Sequence, residues 1–363
     1  MKNFIKKISY VILLISTTSL FTSCDEEVPE TTAPIIINTA GVFVMNEGSF
    51  GSGNSSISYL NVINNLMTNN LFESVNGFPL GDVGQSMTIH KGKGYLVVNN
   101  SQKIEVVNET DFSSIATING FQSPRHMVGV GNKGYVCDWV SNAVVIVDLN
   151  SNTVTGSIPV GNGPEKAVVA GTKLFVINVG GFGTDSTVSV IDLNTDQVIN
   201  TLNVGVNPNS IAVDPSGKLW ILCGGSTGPD YIGGTADDTR GSLWKINSFN
   251  YDVEKQLNMG QFDHPVKMQL NKNNNDLFYL LGNDGYSGKV IRMNTVQAQL
   301  TTVPFVNKVF YGLGIDVNTG IIYGGYVPGF SQNGYVFRYN AAAGFIDSLE
   351  AGIAPNGFVF KSL

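Results

Sequence analysis

The sequence predicts an all-β fold made of one unit repeated seven times and closed on itself, on three observations. The phrase "VIVDLNSNTVTGSIPVGNGP" (residues 145–164) is echoed by "VSVIDLNTDQVINTLNVGVNP" (188–208). An Asx residue ends a β-branched run at Asn61, Asn108, Asp148, Asp192, Asn247, Asn294 and Asn340, spaced about 40–55 residues apart. The two ends of the repeat region are incomplete in complementary ways: "GVFVMN" (41–46) begins with a middle strand, and "APNGFVF" supplies an inner strand with no blade left to follow it.

The units follow in order. The Asx marker is a hairpin turn, because its short side chain bonds the backbone two residues on. Before it, Pro124, Pro164, Pro208 and Pro265 open short strands such as "PRHMVGV" and "PNSIAVD", and Pro355 opens the last one, with "VFYGLGID" filling the gap between. A third series, "KGYLVVN", "KGYVCDW", "KLFVIN", "KLWILC", "DLFYLL" and "GIIYGG", adds a strand after a polar or Gly turn. Four strands per unit at this period predict a seven-bladed β-propeller of four-stranded blades over residues 41–363, closed by the C-terminal strand completing the first blade. Closure in this way removes two open sheet edges. Gly 42, Pro 13 and only 13% charged residues suit a turn-rich chain whose blades are covered on both faces.

Residues 1–23 read as a lipoprotein signal peptide: Lys2, Lys6 and Lys7, an apolar stretch too short and Ser/Thr-rich for a membrane span, then "LFTSC". The last five residues resemble a bacterial lipobox, which makes Cys24 the lipidated first residue of the mature protein. Residues 24–40, with "DEEVPETTAP", read as an acidic, Pro/Thr-rich tether, and the acidic cluster resembles the surface-export signal of Bacteroidetes lipoproteins. The expected location is the outer membrane, lipid-anchored and facing the exterior. A net charge of −7 leaves no basic footprint for nucleic acid.

Chemistry-bearing residues are few. Cys137 and Cys223 fall in middle strands of non-adjacent blades, one position out of register, and are expected as buried thiols. Neither "CDWVS" nor "CGGST" is a haem attachment motif, and with only His90, His126 and His264 no multi-His metal site is expected; no cofactor is expected either. His126 and His264 flank inner-strand starts, where a structural role is the simpler expectation. His126 with Arg125 and Glu165 could serve a general-base hydrolase. "DYIGGTADDTRG" (230–241), with Asp230, Asp237 and Asp238, lacks the ligand spacing of a Ca²⁺ loop and is expected to be a solvated loop. "DST" and "DSL" resemble the Bacteroidetes O-glycosylation pattern, with Ser186 and Ser348 as acceptors.

Loop length is the strongest functional signal. The Asx turns are uniformly short, whereas the loops between second and third strands are long at 46–56, 179–187, 224–241, 283–288 and 324–334 and short at Asn99 and Trp139. In a propeller these loops share one face with the inner-strand starts, and loops on a rigid scaffold carry function. That face offers Phe50, Arg125, Trp139, Phe182, Tyr231, Arg240, Tyr286, Tyr326 and Phe330 as ligand-binding candidates, a set that suits a bulky amphipathic ligand or a protein surface.

The blocks "KLFVIN", "VSVIDLNTDQVINTLNVG" and "PNSIAVD" resemble the YVTN-type, YncE-like propeller repeat, across nearly all of 41–363. Relatives of that repeat include binding proteins, lactonases and electron-transfer domains. Lipidated Bacteroidetes members include BtuG-like proteins, so the resemblance implies a non-enzymatic surface protein that binds cobalamin or another bulky small molecule beside a TonB-dependent outer-membrane transporter. The alternatives are a lactonase-like hydrolase and a structural cell-surface interaction propeller.

Overall fold

The computed structural model describes residue 37 and residues 39–361 apart from 272, 274, 297 and 298. Cys24 and the signal peptide and tether expected from the sequence therefore lie outside the described residues, except at the tether's end. There Ile37 is fully buried against the first two blades, and its N–H donates to Thr110 O at 2.6 Å.

Seven four-stranded antiparallel sheets form the blades. The first is completed by the last strand: Pro355–Lys361 pairs with Gly41–Asn46, with Val42 opposite Phe360 and Val44 opposite Phe358. All seven Asx turns form as expected. The side-chain oxygen of each accepts from the amide two residues on, from Asp148 to Asn150 at 2.7 Å through Asn294 to Val296 at 3.0 Å.

Second strands such as Leu174 to Ile177 in Lys173–Asn178 are buried without interruption, because neighbouring blades cover both faces. Outermost strands such as Ser114–Asn119 are mostly exposed. The core is accordingly a set of inter-blade clusters. In one of them Trp220 and Leu222 of the fifth blade meet Met268, Leu277 and Tyr279 of the sixth. The thiols of Cys137 and Cys223 are free and buried in different clusters.

Two features depart from the sequence reading. A short helix, α1 (Leu71–Asn76), follows the first blade's outer strand, flanked by Asn70 and Gly77 at φ 54 and 73, with Leu71 and Phe72 buried. Six residues are too few to show a helical period. The turns after the third strand are not uniformly short: the one after Asn294 runs to 305, because Leu300 and Phe305 leave the ladder to pack on neighbouring inter-blade cores.

Candidate functional site

The inner strands begin on the long-loop face, and in six blades the ladder slips just after the start, between Gly84 and Ser86, Pro124 and His126, Pro164 and Lys166, Pro208 and Ser210, Val266 and Gln269, and opposite Met45/Asn46. Such a bulge leaves one residue unpaired and re-aims its side chain. Here the bulged residues are Gln85, Arg125, Glu165, Asn209, Lys267 and Asn356, and all six line the central channel. Lys267 reaches this position only through a left-handed backbone, φ 58.

The mouth is cross-linked around its rim. Arg125 grips Glu165 with two hydrogen bonds, Nε to Oε2 at 2.8 Å and Nη2 to Oε1 at 3.1 Å, and donates from Nη1 to Gln85 at 2.9 Å. On the far side Lys267 donates to Asn356, Asn356 donates to Glu47, and the Tyr311 hydroxyl donates to the other Glu47 oxygen at 2.6 Å. Burial, then the Glu47 charge, push the Tyr311 hydroxyl well above the usual phenol range.

Aromatic groups flank this ring in two places. The Arg125 guanidinium lies 4.0 Å over the Trp139 ring, and Phe182 meets Trp139 edge-on at 6.1 Å. Trp139, on one of the short loops, is half-buried, since the bulge turns Arg125 onto it, and its indole nitrogen is buried without a partner. On the opposite side a groove of about 530 Å³ is walled by Tyr286, Tyr311, Tyr326 and Phe330. The loop carrying Phe50 closes one end through Ser49 Oγ, which donates to Phe330 O at 2.5 Å.

The nine candidates are thus divided. Tyr286, Tyr326 and Phe330 share the groove, while Arg125, Trp139 and Phe182 form the stack at the mouth. Phe50 and Tyr231 are each 80% exposed on their loops, and exposed Arg240 donates to Gln261 at 2.9 Å. Residues missed by the sequence reading are Glu47, Gln85, Lys166, Asn209, Lys267, Tyr311 and Asn356. A usable signal was present: the position after the strand-opening Pro is polar in "PRH", "PEK", "PNS" and "PNG", although the strand is otherwise largely apolar. A second cleft, about 410 Å³ between the first and last blades, has no aromatic wall.

The histidines separate by role. His90 Nε2 lies 2.8 Å from Gly131 O, at the opposite end of the strand. His264 is buried and structural: Nδ1 lies 2.9 Å from Gly224 O and Nε2 3.0 Å from Asp238 Oδ2. The 230–241 loop is therefore not simply solvated, because Asp238 also accepts from the Gly234 amide at 2.8 Å, and the His264 contact leads in holding its carboxyl below the usual range. His264→Ala should make this loop about tenfold more sensitive to limited proteolysis and lower the melting temperature; wild-type protease resistance would show that the contact does not anchor the loop.

Only His126 lines the channel, with its Nδ1 buried and unpartnered. Burial, assisted by the Lys166 charge, lowers it to about 3, so it is neutral at physiological pH. Burial raises both thiols, Cys223 to about 12, which makes them poor nucleophiles. Of the two glycosylation candidates, Ser348 is exposed on an outermost strand, and Ser186 is half-buried with its carbonyl accepting from the Val204 amide.

Residues 40–348 match the family profile described as a domain of unknown function, DUF5074. The sequence matches none of the curated proteins. Among solved structures, the chain is similar to a quinonprotein alcohol dehydrogenase-like protein of Bacteroides thetaiotaomicron, at 12% identity and TM-score 0.66 over 90% of this chain and 79% of that one. It is similar to a periplasmic gluconolactonase of Pseudomonas aeruginosa at 11% identity and TM-score 0.63, over 88% and 98%. A Lactobacillus plantarum protein matches at 11% and TM-score 0.62, over 89% and 99%. At these identities the likeness is one of fold.

Proposed function

The chain belongs to the DUF5074 family, and we propose that it is a non-enzymatic binding protein, lipid-anchored through Cys24 at the outer membrane and facing the exterior, that captures a bulky amphipathic small molecule. The observation that carries this reading is the aromatic groove of about 530 Å³ beside a cross-linked polar mouth, on the one face that bears the long loops. Its volume lies within the range of small-molecule sites, which combine apolar walls with a few fixed polar groups. The polar ring is cross-linked by side-chain hydrogen bonds within the protein itself, which fixes its groups in place. Cobalamin is the first ligand to test, with delivery to a TonB-dependent transporter as the role.

The deciding experiment is mass spectrometry of small molecules retained by the purified protein, followed by calorimetric titration of cobalamin and of any retained compound. Saturable binding of either supports the reading. Turnover of a lactone that is lost in His126→Ala would replace it with a hydrolase, since His126, Arg125 and Glu165 line the same channel. Anchoring has its own test: Cys24→Ser should leave an unlipidated protein that no longer fractionates with the outer membrane, and unchanged fractionation refutes the anchor. Full protection from protease on intact cells would place it in the periplasm.

A further inference from the structure

The channel carries a charge pattern opposite to that of the whole chain. The protein's net charge is −7, yet the cavity of about 220 Å³ at the mouth is lined by Arg125, Lys166 and Lys267 against the single carboxylate Glu165. Glu47, at the rim, is engaged through both oxygens by Asn356 and Tyr311, and counting it still leaves three positive charges against two negative ones. Arg125 is satisfied by Glu165 and Gln85, and Lys267 by Asn356.

Lys166 is different. It lines the same cavity and, among the described residues, has no hydrogen-bond or ion-pair partner. Lys166 is half-buried, with the Glu165 charge nearby but not in contact, and a partly desolvated cation without a direct partner favours an anion beside it. Burial, then repulsion from Lys267, hold its ammonium below the usual lysine range; burial likewise lowers Lys267. Two ammonium groups that line one cavity and repel each other are both relieved by one anion placed between them.

We propose that the channel mouth is a subsite for a single oxyanion, a phosphate or carboxylate carried by the ligand, held by Lys166 and Lys267. The proposal rests on the binding reading above and narrows it: the ligand has an anionic group that enters the channel while its apolar body lies along the aromatic groove. The cavity is several water volumes in size, at ~30 Å³ each, which accommodates a tetrahedral oxyanion with some of its hydration.

The test uses purified full-length protein and two simple probes, inorganic phosphate and acetate, titrated calorimetrically at constant ionic strength. Wild type should bind at least one saturably, and the preferred probe identifies the anion. Lys166→Met and Lys267→Met should each weaken that binding about tenfold or more. Lys133→Met, which removes an exposed cation paired with Asp196 away from the channel, should leave it unchanged. Thermal melts establish that each variant is folded, and Lys166→Arg, which keeps the charge, should retain binding. No binding of either probe to wild type overturns the proposal, as does equal binding by the Lys→Met channel variants. If neither probe binds while a retained ligand still does, the anion subsite fails and the binding function stands.

Discussion

Deletion of residues 353–363 should produce a protein that aggregates or melts about 10 °C or more below the full chain. The deleted segment contains the whole innermost strand of the first blade, so Gly41–Asn46 would lose a partner along its entire length and present an unpaired sheet edge at the ring's seam. Packing is lost as well. Phe358 and Phe360 sit against Tyr323 of the seventh blade at ring separations of 6.0 and 5.3 Å, within the cluster that joins the last blade to the first. Lys361, whose ammonium donates to the carbonyls of Ile37 and Glu109, also goes, and with it the clasp on the chain's entry into the propeller. Loss of several part-buried side chains at roughly 1–3 kcal/mol each is enough to account for the expected shift. A truncated protein that melts like the full chain would mean that the ring is held shut elsewhere.

Tyr326→Ala should weaken ligand binding by about thirtyfold, or about 2 kcal/mol, with a small effect on the melt. Tyr326 is half-buried in the groove wall, with the Lys308 ammonium 4.2 Å from its ring centre and Phe337 edge-on at 5.7 Å, so it is a rigid surface already in place before binding. Trp139→Ala should cost a similar factor but for a compound reason. The substitution removes an aromatic wall and also the surface on which Arg125 is stacked, which loosens the clamp to Glu165 and Gln85. A lower melting temperature is therefore expected for Trp139→Ala and much less so for Tyr326→Ala. Asn294→Ala is the control, since its turn lies at the opposite end of the blade; it should cost modest stability and leave affinity unchanged. If it lowers affinity as much as Tyr326→Ala does, the long-loop face is not the binding face.

The sequence by itself determined the parts that depend on contacts within a few residues. The seven turns follow from the Asx side chain bonding an amide two residues away, and Asn61 or Asn340 does this whatever surrounds it. Blade count and closure follow from counting those turns and noticing which strand is missing at each end. The side bearing the long loops follows from the strand order. Helix α1 escaped because its six residues are held by burial of Leu71 and Phe72 rather than by a periodic pattern. The excursion at 295–305 escaped because Leu300 and Phe305 are placed by cores belonging to other segments. Tertiary structure alone decided the chemistry of the mouth. Arg125 and Glu165, or Lys166 and Lys267, come from different blades and meet only because the ring closes around one channel, and the bulges turn Arg125, Glu165 and Lys267 inward. The same closure set His264 against Asp238 and put Arg125 over Trp139. A bulge changes which way a side chain points without changing which residue types a strand prefers, so local sequence marks the polar position after the proline but cannot say what it will face.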